Sequence, residues 1–201
     1  MAEHLAPPSP ARATTMTAPV PGPVVRRGSP GGLDLGPAPV VDFDGTIARL
    51  RVDWAELRTR LGVHSIDDLW PGNAIAWELV AADETAAADR AEPIDAVVDA
   101  LRRTTTFAVL TNNGAGAVKR FFARHPDLHT KLAVVIGREQ LGGPKTDFSR
   151  FRSGFAACVA ATAAQRGPEA IVYAGDQDYE LAFARHLGAH TVDVTSRLAS
   201  P

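Results

Sequence analysis

From residue 40 onward, short apolar runs alternate with stretches whose apolar residues recur every three or four positions. Val40-Val41-Asp42-Phe43 follows a proline-rich stretch and reads as a buried strand whose end carries polar chemistry. Thr106–Leu110, Leu132–Ile136, Ala170–Ala174 and His190–Val194 read the same way. Between these runs, Ile94, Val97, Val98 and Leu101 fall at i, i+3, i+4 and i+7, with Pro93 suited to a first helical turn. Ala115, Val118, Phe121 and Phe122 make a second stripe, and Phe151, Phe155, Cys158, Val159 and Thr162 a third. Leu181, Ala184 and Leu187 make the last, with Gly188 as its stop. Strands alternating with helices predict right-handed crossovers. The fold class is therefore α/β, a Rossmann-like, mostly parallel sheet flanked by helices. Ligands of such sheets bind at the carboxyl ends of the strands, which is where the polar residues cluster here.

Two segments break the alternation. Residues 47–92 carry helical patterns but no second sheet. Trp54, Leu57 and Leu61 share one helix face, and Ile75, Ala76, Leu79 and Val80 a broader one. This predicts a small α-helical cap inserted just after the first strand. Residues 1–38 are rich in proline and glycine and have no helical or strand period, so a disordered tail is expected there. The tail lacks the basic start and apolar core of a secretory signal. The predicted organisation is a tail over 1–38, an α/β core over 39–46 and 93–201, and a cap over 47–92.

Composition narrows the choice of function. Apolar residues make up 45% of the 201, enough for a packed core. A net charge of −2 without a long basic run gives nucleic acid no electrostatic footing. No apolar stretch is long enough to span a membrane, and a cytoplasmic location is expected. The single cysteine, Cys158, excludes an intrachain disulfide and fits core packing. The histidines build no metal site: His125 and His129 are four apart, but Pro126 lies between them. No G-x-x-x-x-G-K-[ST] phosphate loop is present.

The chemistry sits at strand ends. In Asp42-Phe43-Asp44-Gly45-Thr46, two carboxylates two residues apart can divide the work, one attacking phosphorus and the other handling protons. Gly45 lets the chain turn there. The plainer reading is a turn leaving a strand. Phe107 through Asn113 reads as a strand ending in a hydroxyl and two amides, Thr111, Asn112 and Asn113, able to donate to phosphate oxygens. Gly142-Gly143-Pro144-Lys145 puts an ammonium on a turn before a long helix, where it can offset phosphoryl charge; an isolated lysine is more often solvated surface. Val172 through Glu180 ends a strand with Asp176, Asp178 and Glu180, hard oxygen ligands of the kind Mg²⁺ takes. The competing reading of Asp176 is a helix cap.

In their order, VVDFDGT, FAVLTN, GGPK and VYAGDQDYE resemble the four motifs of the haloacid dehalogenase-like hydrolase superfamily, over roughly residues 39–195. The resemblance implies a phosphatase branch with a small helical cap of the kind inserted after the first motif. It implies Asp42 as nucleophile and Asp44 as general acid and base. Thr111, Asn112 and Lys145 would hold the phosphoryl group. Asp42, the backbone carbonyl of Asp44, and Asp176 would hold Mg²⁺. Glu180 stands where relatives commonly carry aspartate and would bind metal through water or orient Lys145, with Asp178 a competing acid in the same turn. The expected activity is Mg²⁺-dependent hydrolysis of a small-molecule phosphate monoester through an aspartyl-phosphate. Dehalogenating relatives lack the second aspartate. Sugar-phosphate mutases share both, so a mutase and a non-catalytic binding module of the same fold stand as the alternatives. A reduced cap implies an open site, or one completed by a partner subunit in an oligomer.

Overall fold

A computed structural model describes residues 32–70, 72–165 and 171–198. Five strands form one sheet in which every pairing is parallel: β1 (Val40–Val41), β4 (Phe107–Leu110), β5 (Leu132–Ile136), β6 (Val172–Gly175) and β7 (His190–Asp193), in the order β5-β4-β1-β6-β7. All five apolar runs are strands, although Ala170 lies outside the described residues. The side chains alternate as a sheet buried on both faces requires. Val41, Phe107, Val109 and Ala174 join one apolar cluster, and Val40, Ala108, Leu110 and Tyr173 the other.

Helices cover both faces. The first cluster is closed by α3 (Asp95–Arg103) and α4 (Ala115–Ala123), with the one-turn α5 (Pro126–His129) behind them. The second is closed by α7 (Phe148–Ala161) and α8 (Asp178–His186). The short α6 (Arg138–Leu141) follows β5, and α9 (Val194–Leu198) follows β7. Among the described residues no helix is long and apolar enough to cross a membrane.

Residues 47–92 leave and rejoin the core through a two-stranded antiparallel ribbon, β2 (Ala48–Arg49) with β3 (Glu92–Pro93). Pro93 therefore lies in a strand rather than in a helical turn. A two-residue edge pairing loses little by lacking its N–H, and Ile94 N donates to Ile47 O instead, before α3 starts at Asp95. Between the ribbon strands lie α1 (Trp54–Leu61), a 3-10 turn (Ile66–Leu69) and α2 (Ala74–Ala88). They share a small core of Leu57, Leu69, Ala76 and Val80. The broad apolar face expected of α2 is narrower than its sequence suggests. Ala76 and Val80 point inward, whereas Ile75 and Leu79 are 73% and 40% exposed.

The expected tail to residue 38 is corrected at its end. Residues 1–31 lie outside the described residues, but 33–38 pack on the core. Leu35 and Ala38 are buried, Thr105 N and Thr106 N donate to Pro37 O, and Arg103 donates to Leu33 O. Burial of Leu35 and Ala38 together with the hydrogen bonds to Pro37 O and Leu33 O opposes the ordering cost of a short strap that has no periodicity of its own.

Candidate active site

The strand order reverses beside β1: β4 and β5 lie on one side of it, β6 and β7 on the other. Ligands of open α/β sheets bind at such a switch. Asp42 leaves the end of β1 there, 5% exposed, and its N–H donates to Ala174 O of β6. Asp44 follows after Phe43, which anchors the loop in the core. Gly45 has φ +81, and a Cβ there would meet Asp176 Oδ2 at 2.4 Å. Glycine thus permits both the turn and the approach of the Asp176 carboxylate.

Asp42, Asp44, Thr111, Asn112, Lys145, Asp176 and Glu180 all line one cavity of about 290 Å³ above the strand ends. Lys145 is the centre of its polar floor. Its ammonium, 1% exposed, donates to Asp42 Oδ1 at 2.5 Å and to Leu110 O at 3.2 Å, and pairs with Glu180 Oε1 at 2.7 Å. Burial opposes that charge, but Asp42 and Glu180 outweigh it and hold the ammonium above its ordinary titration range. Asp42 is pushed up to about 8, first by burial and next by the Glu180 charge, against the pull of Lys145. The two shifts follow from one fact: two buried carboxylates share a single cation. Asp44 is raised to about 6 by burial, opposed by the Leu50 N–H that donates to its Oδ1 at 2.8 Å. Asp176 is raised by burial too, and its Oδ1 is buried without a hydrogen-bond partner.

Asn112 and Thr111 have duties that the sequence does not reveal, and Glu180 takes contacts beyond those expected of it. Asn112 Oδ1 accepts from Lys145 N at 2.6 Å, so this amide fastens the lysine loop to the end of β4. The Thr111 hydroxyl lines the cavity but donates to Asn113 Oδ1 at 2.9 Å. Glu180 accepts from both the Tyr173 and Tyr179 hydroxyls besides pairing with Lys145, and so it orients the ammonium. Asp178 is exposed at the start of α8 and lies outside the cavity lining.

Sequence reasoning missed a second buried pair. Glu84 of α2 accepts two hydrogen bonds from the Arg138 guanidinium, at 3.0 and 2.8 Å, one from Asn113 Nδ2 at 3.1 Å and one from Gly114 N at 2.9 Å. Both side chains line the cavity and are almost fully buried. The available signal was a lone acid on the face that α2 otherwise fills with Val80, Ala87 and Ala88. A charge on a buried face requires a partner.

The chain thus combines a five-stranded parallel sheet, whose central strand ends in an acid at the switch, with a helical insert that begins directly after that acid. This is the haloacid dehalogenase-like fold. No protein-family model and no curated protein matches the chain. Among solved structures, it is similar to a haloacid dehalogenase-like family hydrolase from Streptococcus pneumoniae, with TM-score 0.52 and 16% identity over 78% of this chain and 83% of that one. It is also similar to the HAD-hydrolase YfnB from Bacillus subtilis, described bound to magnesium, with TM-score 0.50 and 14% identity over 82% of this chain and 89% of that one.

Proposed function

We propose that the chain is a divalent-cation-dependent phosphohydrolase that cleaves a phosphate monoester through a phosphorylated Asp42. One observation carries the reading: Asp42, nearly buried at the end of the central strand, is held at 2.5 Å by Lys145 while Asp44, Thr111 and Asp176 face the same cavity.

The donor set fits a hard cation of the Mg²⁺ type. Among the described residues no group of three or more His, Cys, Asp and Glu side chains forms a metal cluster by itself. Mg²⁺, however, needs only one or two carboxylates and keeps several waters. The carboxylates of Asp42 and Asp176 with the Asp44 carbonyl suit it, and the partnerless Asp176 Oδ1 marks where negative charge stands unmatched. When bound, the cation offsets the charges of the nucleophile and the phosphoryl oxygens and lowers the proton affinity of Asp42.

The protein's own groups account for the rest. Lys145 fixes the Asp42 carboxylate, so an oxygen of Asp42 attacks phosphorus in line while the ester oxygen leaves opposite. Asp44 is raised to about 6 and is available in its protonated form to give that proton to the departing alkoxide. It then takes one from the water that attacks phosphorus and releases Asp42. A halide leaving group needs no such acid, so Asp44 favours phosphate esters over carbon–halogen bonds.

The test is hydrolysis of p-nitrophenyl phosphate by the full chain in Mg²⁺ and in EDTA. Turnover is expected only with the cation, and Asp42→Asn should lower kcat by at least about 10⁴-fold with its circular dichroism unchanged. Wild-type rates in the variant would remove Asp42 from the chemistry.

A further inference from the structure

All three tryptophans of the chain, Trp54, Trp70 and Trp77, belong to the insert, and all three line the cavity. None is fully buried. Trp54 and Trp77 also pack in part against the insert's small core, but large aromatic side chains left partly open on one concavity are available to whatever occupies it. The Trp70 and Trp77 rings lie 4.6 Å apart, tilted by 45°. The Arg138 guanidinium lies 4.5 Å over the Trp77 ring and is held in place by its two bonds to Glu84. Trp77 is thereby supported from the core side. Tyr179, which is tied to Glu180, carries the aromatic lining on from the core towards the insert.

Charge recognition of the leaving group has little to work with. The two basic side chains on the lining are both engaged, Lys145 by Asp42 and Glu180, and Arg138 by Glu84 and Asn112 O. A second phosphate or a carboxylate on the substrate would find no free cation among these lining residues, and it would face Asp67 and Glu84. The cavity, about 290 Å³, has room for a phosphoryl group with one ring system.

Resting on the phosphohydrolase reading, we propose that the insert selects phosphate esters whose leaving group carries a flat aromatic or heteroaromatic ring, stacked on the Trp70–Trp77 wall. The substrate class is thus a phosphate monoester whose leaving group bears one aryl or heteroaryl ring and no second anionic group.

The probes are benzyl phosphate, cyclohexylmethyl phosphate and ethyl phosphate, three esters of primary alcohols. The first two match in bulk but differ in planarity. With Mg²⁺ and the full chain, kcat/KM for benzyl phosphate should exceed that for cyclohexylmethyl phosphate by about tenfold, the scale of one ring stacked on an aromatic side chain. The ratio should fall towards one in Trp77→Leu and in Trp70→Leu. Binding supplies an independent readout. Because every tryptophan lines the cavity, benzyl phosphate should perturb intrinsic fluorescence of the non-hydrolysing Asp42→Asn variant at concentrations about tenfold lower than cyclohexylmethyl phosphate. Absence of turnover on all three esters with that fluorescence difference intact would overturn the phosphohydrolase reading and leave the ring site standing. Turnover with equal kcat/KM for the two bulky esters, equal binding of both, or an unchanged ratio in both leucine variants would overturn the ring site.

Discussion

At the scale of single residues, the cavity floor is a problem of charge count. Asp42 and Glu180 both lie within 2.7 Å of the one ammonium of Lys145, and all three are buried. A carboxyl whose folded pKa, about 8, lies above its ordinary 3.8 binds its proton more tightly in the folded chain. Ionising it therefore lowers stability progressively as pH rises from the unfolded value through the folded one. Near pH 7 and without metal, the native chain thus bears a penalty at Asp42 that an amide does not. Asp42→Asn is expected to melt above the wild type in EDTA at pH 7, with the gap closing as the pH is lowered towards 4. Adding Mg²⁺ should raise the wild type more than the variant. Calorimetry of both proteins across pH decides it: a variant that melts below the wild type at pH 7 in EDTA would mean that the Lys145 attraction outweighs burial. The sequence revealed Asp42 as a polar group just beyond an apolar run, and Lys145 and Glu180 through the order of the motifs around them. It did not reveal their pairing, since which acids share Lys145 depends on how β1, β4 and β6 lie side by side.

At the scale of elements, β1, β4 and β6 were legible as apolar runs buried on both faces, and the flanking β5 and β7 as shorter apolar signals, since β5 is partly open and β7 is half polar and half-buried. The insert was legible as a break in the alternation of strands and helices, but its attachment was not. Nothing local in the Ala-rich α2 shows that Glu84 reaches across to Arg138, which is 54 positions away and lies beyond the end of β5. Likewise, Ile75 and Leu79 match the apolar period of α2 yet face outward, because the insert is too small to bury more than one stripe. The buried pair joins α2 to the loop that starts α4, and it fixes the position of Trp77 through the guanidinium. Removing one partner leaves a charge buried and unpaired, which typically costs about 3–5 kcal/mol, whereas replacing both with apolar groups is far milder. Glu84→Ala should therefore lose on that order of stability in urea denaturation, and Glu84→Ala with Arg138→Met should recover most of it. If the double variant is as unstable as the single one, the four bonds to Glu84 matter individually and the charge pairing does not.

At the scale of the whole molecule, the sheet and the insert meet through the β2–β3 ribbon, the Glu84–Arg138 pair and the cavity walls, so the site depends on the sheet's central strands staying in place. The strap over residues 33–38 bears on this directly. It runs into β1, the strand that carries Asp42, and Pro37 O accepts the N–H groups of Thr105 and Thr106 just before β4. Its composition resembles that of the residues before it, so pattern alone does not mark where it begins; in the structure Leu35 and Ala38 are buried. Deleting residues 1–31 leaves every one of these contacts in place, and the melting temperature is expected to stay within error. Deleting residues 1–38 exposes the surface under Leu35, worth about 1.5–3 kcal/mol, and strips two amides of their acceptor, at about 0.5–1.5 kcal/mol per hydrogen bond. In a domain of this size each kcal/mol shifts the melting temperature by about 2–4 °C, so the longer deletion should lower it by on the order of 10 °C. Thermal scans of the two truncations beside the full chain give the answer: equal melting temperatures for both would mean that the strap contributes nothing, and that β1 is held by β4 and β6 alone.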